Sequence, residues 1–403
     1  MISRQDIQNA YKLIQPHVVQ TPIVYSHTLS KLCGCVSLFK LENLQMTGAF
    51  KERGALNKLC HLSKAEQTTG VITASAGNHA QGVAYHAQRL GIKAKVVMPM
   101  GTPLIKVVST QEYGAEVVLH GETFDDAYDH ARQLEAQEGL VFVHPFADPL
   151  VIAGQGTIGL EILADALGQT TEVVVCPIGG GGLIGGIAAY LKQSKPEIEL
   201  IGVEAAACPS MQQALQAGGP VKLPRAASLA DGIAVKQVGQ LNYQLAKQYV
   251  DGVIAVEEDE IANAVLLLLE IEKILVEGAG ATPLAAILKH KERFAGRKVL
   301  SIISGGNIDV NILHRIITRG LAVAGRIVEL KVRLRDVPGT LTAVLEVIKG
   351  LQTNILDVAH HRFDSQAPFG YVDVSINLET KGHAHIEQIK KALQAAGYLL
   401  PAA

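Results

Sequence analysis

The stretch Val173-Val174-Val175-Cys176-Pro177-Ile178-Gly179-Gly180-Gly181-Gly182-Leu183-Ile184-Gly185-Gly186-Ile187-Ala188-Ala189-Tyr190-Leu191 runs 19 residues without a charge, long enough to span a bilayer. Its middle holds Pro177 and six glycines. These would break a membrane helix, whereas a buried strand, a glycine loop and a helix start would use them. The reading is therefore strand, loop and helix, with no membrane span, and it points to an α/β protein.

Outward from this stretch, residues 71–306 alternate short β-branched runs with amphipathic stretches of helical length. Predicted strands are 71–73, 95–98, 116–119, 141–144, 173–176, 200–203 and 299–303, with helical patterns at 79–90, 124–138, 157–166 and 261–275. Within the last, Leu266 to Leu269 reads as a buried segment. Apolar strands separated by helices imply α/β layers with largely parallel sheets, which bind ligands at the carboxyl ends of strands. After Gly320 the pattern changes. Val328, Leu330, Val332 and Leu334 alternate with charges, Leu341, Val344, Leu345 and Ile348 mark one helix face, and strands follow at 354–361 and 372–378. Ile386, Ile389 and Leu393 suggest a closing helix, and 398–400 a short last strand. The order βαββαβ is an α+β ferredoxin-like unit, placed at residues 327–403 after a hinge at 320–325.

A length of 403 residues allows two or three domains, and 48% hydrophobic content fills more than one core. Lys plus Arg (36) nearly balance Asp plus Glu (38), which leaves no basic field for nucleic acid. Five cysteines without a Cys-x-x-Cys spacing fit a reduced, cytoplasmic chain, and residues 1–10 show no signal-peptide pattern.

Four segments carry chemistry. In Thr47-Gly48-Ala49-Phe50-Lys51-Glu52-Arg53-Gly54 a lysine follows an apolar residue, so desolvation can lower its pKa for Schiff-base chemistry; a surface lysine paired with Glu52 is the plain alternative. Ser75-Ala76-Gly77-Asn78-His79 follows a strand and opens a helix, which suits a carboxylate or phosphate as well as a simple N-cap. The glycines 179–182 let backbone N–H groups approach a phosphate at a helix start; they lack the Lys and Ser/Thr of a P-loop. Ser304-Gly305-Gly306-Asn307 ends the last strand of the region with polar groups.

In this order the four segments resemble the fold-type II pyridoxal-phosphate enzymes, specifically their threonine dehydratase (threonine ammonia-lyase) branch. The resemblance implies a two-lobed catalytic domain over residues 1–320, with a smaller lobe at roughly 45–150 inserted in the larger one, and pyridoxal 5′-phosphate as cofactor. It implies Lys51 as Schiff-base lysine and general base, Phe50 beside the ring, and Asn78 on the ring hydroxyl. Gly179, Gly180, Gly181, Gly182 and Leu183 would cradle the phosphate, Ser304 would face the pyridine nitrogen, and Glu277 would lie near the ring. Ser75, Ala76, Gly77, Asn78 and His79 would receive the substrate carboxylate. The implied reaction converts L-threonine to 2-oxobutanoate and ammonia, with L-serine giving pyruvate as a side activity. A hydroxyl such as Ser304 shares a hydrogen bond with a neutral pyridine nitrogen, which suits prompt β-elimination and disfavours transamination.

Serine racemases are the nearest competitor, but they carry a second serine where Ala76 stands. That branch often binds a divalent cation through a Glu and an Asp six residues later; here Glu204 is followed at that spacing by Ser210, which leaves Glu204 as a candidate metal ligand beside the plain reading of a charged residue at a strand end. A non-catalytic amino-acid sensor and a nicotinamide dehydrogenase, for which Glu204 would be the only ribose ligand, complete the alternatives. His360-His361 and His383-x-His385 lack a third ligand and read as solvated polar faces. Residues 327–403 resemble an ACT domain through Asp336-Val337-Pro338-Gly339-Thr340-Leu341 and Asn354-Ile355. The likeness implies an amino-acid effector, isoleucine in a biosynthetic role, and pairing of copies into a homodimer or homotetramer.

Overall fold

The computed structural model describes residues 1–362 and 367–398, and the chain divides into two compact units, Met1–Ile308 and Asp309–Ala403. The first unit holds two sheets. The larger has six strands in the order Ile23–Ser26, Val36–Leu41, Lys298–Ile303, Val173–Pro177, Glu199–Ala205 and Gly252–Val256, all parallel except the first pair. The smaller has four parallel strands in the order Glu116–Leu119, Ala94–Met98, Val71–Ala74 and Val141–Phe142, and its chain segment is inserted between the second and fourth strands of the large sheet. Val173, Val174, Val175 and Cys176 are fully buried, as a central parallel strand covered on both faces requires. Its uncharged continuation becomes the helix Gly182–Ser194, and no described helix is long and apolar enough to cross a membrane.

One helix ties the lobes together. Pro149–Ala164 starts eight residues before the predicted 157, because Asp148 accepts the Leu150 and Val151 N–H groups and Pro149 occupies the first turn. It is buried on nearly every side, so no hydrophobic stripe marks its start. Close contacts fix its neighbours. A Cβ on Gly154 would lie 2.6 Å from the Arg53 carbonyl oxygen, and one on Gly186 2.4 Å from that of Ile152. The helix bearing Lys51 (Lys51–Cys60) and the helix headed by the glycine loop are thereby packed on a common support.

Other boundaries differ from expectation. The predicted helix 261–275 is α-helical only over Glu258–Leu267 and continues as a π-turn, Leu268–Glu272, that ends at Lys273 with φ +60°. The strands Ile23–Ser26, Val36–Leu41 and Gly252–Val256 were not predicted.

In the second unit, helix Val310–Val323 runs through Gly320, so the turn lies later, at Gly325 with φ +64°. An antiparallel sheet follows in the order Ile327–Arg335, Tyr371–Glu379, Asn354–His361, with helices Thr340–Gly350 and His383–Ala395. Leu330, Val332, Val344, Ile348, Val374, Ile376, Ile389 and Leu393 form its core, the residues picked out by period-2 and period-3.6 spacing. The predicted last strand, 398–400, falls largely outside the described residues. His361, His383 and His385 each have a protein partner, Ser375 Oγ, the Val323 carbonyl and the Leu351 carbonyl.

Candidate active site

Strand ends converge on one cleft. Leu41 pairs in register with Ile303, so the segments leaving those two strands run side by side. Ala49 bridges Gly305, and the Phe50 N–H donates to the Ser304 carbonyl at 3.0 Å. Lys51 therefore begins its helix beside Ser304. The cleft is lined by Phe50, Lys51, Asn78, Ser304 and Glu277, by Gly179 through Leu183, and by Phe146, Gly232 and Ile233.

The Lys51 Nζ donates to the Pro145 carbonyl at 3.0 Å and lies 5.3 Å from the Phe50 ring centre. Burial pushes its pKa down to about 8, while the nearby Glu277 carboxylate opposes the shift. A neutral amine is thus accessible near neutrality.

The glycine loop is shaped for an anion. Gly181 caps the helix Gly182–Ser194 with φ +88°, and no side chain occupies its first N–H groups. Gly180 is pressed against Phe146, where a Cβ would come within 2.2 Å of the ring. Asn242 Nδ2 holds the loop from behind by donating to the Gly180 and Phe146 carbonyls at 2.6 and 2.9 Å. Gly180→Ala should weaken cofactor affinity at least tenfold, since overpacking costs about 1–3 kcal/mol and here displaces the ring from the loop. Titration of the stripped chain with pyridoxal phosphate measures this.

Asn78 Nδ2 donates to both oxygens of Glu277 at 2.8 and 3.0 Å, and Asn78 Oδ1 accepts from Asn307 Nδ2 at 2.9 Å. Burial raises Glu277 to about 7 against the pull of Asn78. Glu277 sits at the N-cap of Gly278–Lys289 but makes no capping bond with its side chain, which is given to Asn78. Of the expected carboxylate turn, Asn78 lines the cleft, while Ser75, Ala76 and Gly77 form a half-buried turn whose Ser75 Oγ accepts the Gly77 N–H. The His79 ring is directed elsewhere: its Nε2 donates to the Val143 carbonyl at 2.9 Å, and burial, reinforced by the Lys51 charge, takes its pKa down to about 3. Glu204 is away from the cleft lining. Its carboxylate accepts the Met211 and Gln212 N–H groups and lies 3.3 Å from Ser210 Oγ, capping the helix Ser210–Ala217, and burial raises it to about 7. No group of three or more His, Cys, Asp or Glu among the described residues is placed to hold a metal.

Sequence reasoning missed Pro145, Phe146 and Asn242, and it quoted Asn307 in the Ser304 segment without giving it the partners found here, Asn78 and the Thr47 carbonyl. The tripeptide Pro145-Phe146-Ala147 directly follows the predicted strand 141–144, the position where ligands bind in parallel sheets, and that was its one available signal.

The residues present fit pyridoxal phosphate: an amine of lowered pKa, an open helix start without side-chain caps, and the buried Ser304 hydroxyl in one cleft. Residues 14–305 match the model of the pyridoxal-phosphate dependent enzymes. The chain is 48% identical to an L-threonine ammonia-lyase of Thermotoga maritima over 99% of its own length and 98% of that protein's. Among solved structures, threonine deaminase isoform 2 of Solanum lycopersicum superposes with TM-score 0.74 at 39% identity, covering 78% of this chain and 91% of that one. A serine racemase of Dictyostelium discoideum gives 0.71 at 37%, covering 76% and 99%. With its cleft, its parallel sheets and these relatives in agreement, the chain belongs to the pyridoxal-phosphate dependent enzyme family, as a member with threonine ammonia-lyases for near-full-length relatives.

Proposed function

We propose that the protein deaminates L-threonine to 2-oxobutanoate and ammonia, with Lys51 bonding the cofactor and then acting as general base. The observation that carries this reading is the meeting of Lys51, the glycine loop and Ser304 in one cleft of a chain 48% identical, end to end, to an L-threonine ammonia-lyase. Bound pyridoxal phosphate supplies a conjugated sink for the electrons released when the substrate Cα–H bond breaks. The Lys51 amine, poised near pH 8, takes that proton. Gly179 to Gly182 fix the anionic end with backbone N–H groups, and Ser304 offers a hydroxyl rather than a charge to the ring nitrogen. Phe50, Leu183 and Ile233 give the cleft apolar walls that exclude water. Asn78 binds Glu277 and orients it across the cleft from Lys51.

Ala76 supplies no hydroxyl, so D-serine formation from L-serine is not expected. Assays of oxo-acid release from L-threonine, L-serine and their D forms test the reading. Fast 2-oxobutanoate release with slower pyruvate release supports it, and turnover of neither L form defeats it.

The pH dependence has a defined sign. Cofactor capture by the stripped chain needs the neutral Lys51 amine, so its rate should rise through about pH 8. Glu277 opposes that lowering, so Glu277→Gln should move the midpoint to lower pH, as measured by the visible band against pH.

Residues 327–403, within the second unit, are read as an ACT-like regulatory domain in a homo-oligomer of a cytoplasmic enzyme. L-isoleucine should change the threonine rate, and deletion of residues 327–403 should remove the response. An isoleucine response that survives the deletion contradicts the assignment.

A further inference from the structure

Residues 143–147 lie between the strand Val141–Phe142 and the helix Pro149–Ala164, and they meet both Lys51 and the glycine loop. The Val143 carbonyl accepts from Thr73 Oγ1 and His79 Nε2 at 2.8 and 2.9 Å. The Pro145 carbonyl accepts from Lys51 Nζ, and the Phe146 ring lies on Gly180. Contacts from the Val143 carbonyl, the Pro145 carbonyl and the Phe146 ring thus depend on one short turn with no regular secondary structure to hold it.

What holds the turn is a side chain. His144 Nδ1 accepts the Phe146 and Ala147 N–H groups at 3.2 and 2.9 Å. Two N–H groups can converge on this nitrogen only if it carries a lone pair, so the ring is the neutral tautomer protonated on Nε2. Its edge is set against Phe146, with ring centres 4.7 Å apart, and against Phe142 and Tyr128 at 6.0 and 6.1 Å. Burial, with the Lys51 and Arg132 charges acting in the same direction and Asp148 against them, takes its pKa down to about 4. The acceptor therefore persists throughout neutral pH.

We propose that His144 is a positioning residue for Lys51: by accepting two N–H groups at Nδ1 it fixes the turn whose Pro145 carbonyl holds the reactive amine in the cleft. The proposal rests on Lys51 being the lysine that bonds the cofactor. His144 touches neither substrate nor cofactor in this role. It acts through the carbonyl one residue on and through the phenyl ring two residues on.

Two substitutions separate the acceptor from the ring. His144→Phe keeps an aromatic shape and removes the acceptor. His144→Asn removes the ring and keeps an oxygen able to accept from the second and third following N–H groups, the usual Asx geometry. The measurement is the rate at which the full chain, stripped of cofactor, captures pyridoxal phosphate as a function of pH, together with kcat and KM for L-threonine. In H144F the plateau rate at high pH should fall about tenfold, because the amine is no longer oriented. The midpoint should also fall below that of the wild type, because the carbonyl that favoured the ammonium has moved. H144N should recover both. A merely destabilised chain would lose competent protein without moving the midpoint.

An H144F chain with wild-type plateau and midpoint overturns the proposal, as does an H144N chain as impaired as H144F. If H144F does not fold, H144N decides alone: recovery supports the acceptor role and impairment overturns it. A wild-type chain that captures no cofactor overturns the Lys51 reading beneath the proposal, whereas normal wild-type capture beside an unimpaired H144F overturns this proposal only.

Discussion

Lys51→Ala is expected to lower threonine turnover by roughly a thousandfold or more and to remove the visible band of bound cofactor, because one substitution deletes both the bond to the cofactor and the general base. The amine is suited to both tasks by its surroundings. Burial brings it to about 8, and its hydrogen bond to the Pro145 carbonyl, the one it makes among the described residues, leaves the nitrogen free to be exchanged. Lys51→Arg should be as inactive as the alanine variant. A guanidinium keeps the charge but is not deprotonated in proteins and cannot form the bond. Equal loss in both variants shows that the chemistry of the amine, and not its charge, is required. Lys51 sits in the first turn of its helix and forms no ion pair among the described contacts, so the thermal midpoints should stay within a few degrees of wild type. Activity in the arginine variant near the wild-type level would exclude Lys51 from both roles.

The second large effect lies behind the cleft. Arg53, two residues after Lys51, is fully buried and donates to Glu42 at 2.7 and 2.9 Å and to Glu161 at 2.7 and 2.9 Å. Lys40 Nζ completes the group at 2.5 Å from Glu161 and 2.6 Å from the Thr21 carbonyl. Two cations and two anions balance, with each hydrogen-bonded. Arg53→Met should destabilise the fold by about 3–5 kcal/mol, since it strands buried carboxylates without their partner. Its pH dependence follows from Glu42. Burial alone would raise that group, but the Arg53 charge and hydrogen bonds, with help from Lys40, hold it below the ordinary carboxylate range. A depressed folded-state pKa contributes stability above the ordinary value and loses it as pH falls through the depressed one. In the variant Glu42 rises instead, so the gap between the two proteins should be widest at neutral pH and should narrow in acid. Urea midpoints across that range measure it, and a gap independent of pH would contradict the assignment to Glu42.

The same network explains a strand that the sequence concealed. Val36–Leu41 lies inside the large sheet with five of its six residues buried, yet it contains Ser37 and Lys40, which read as a polar segment. Lys40 is buried because Glu161, 121 residues away, is there to meet it, and no local pattern encodes that meeting. The strand that leads into the glycine loop was legible for the opposite reason: Val173, Val174, Val175 and Cys176 are all apolar and are followed by proline and glycine. Helix Phe124–Glu138 matches the helical pattern read at 124–138 to the residue, and Thr123 and Gly139 cap it at its two ends. At the site, glycines and the lysine announce themselves because backbone approach and amine chemistry restrict residue type. The turn at 143–147 does not, since its contribution is made by carbonyl groups that every residue possesses. His79 shows the converse. It stands in a segment of chemical character, but its ring is used by the Val143 carbonyl.

The central claim is that Lys51 bonds the cofactor in this cleft. Borohydride reduction of the cofactor-loaded chain, followed by peptide mapping, tests it most directly. The expected result is loss of the visible band with the cofactor fixed on the peptide containing Lys51 and on no other. Cofactor fixed on a different lysine, in a chain that still releases 2-oxobutanoate from L-threonine, would contradict it.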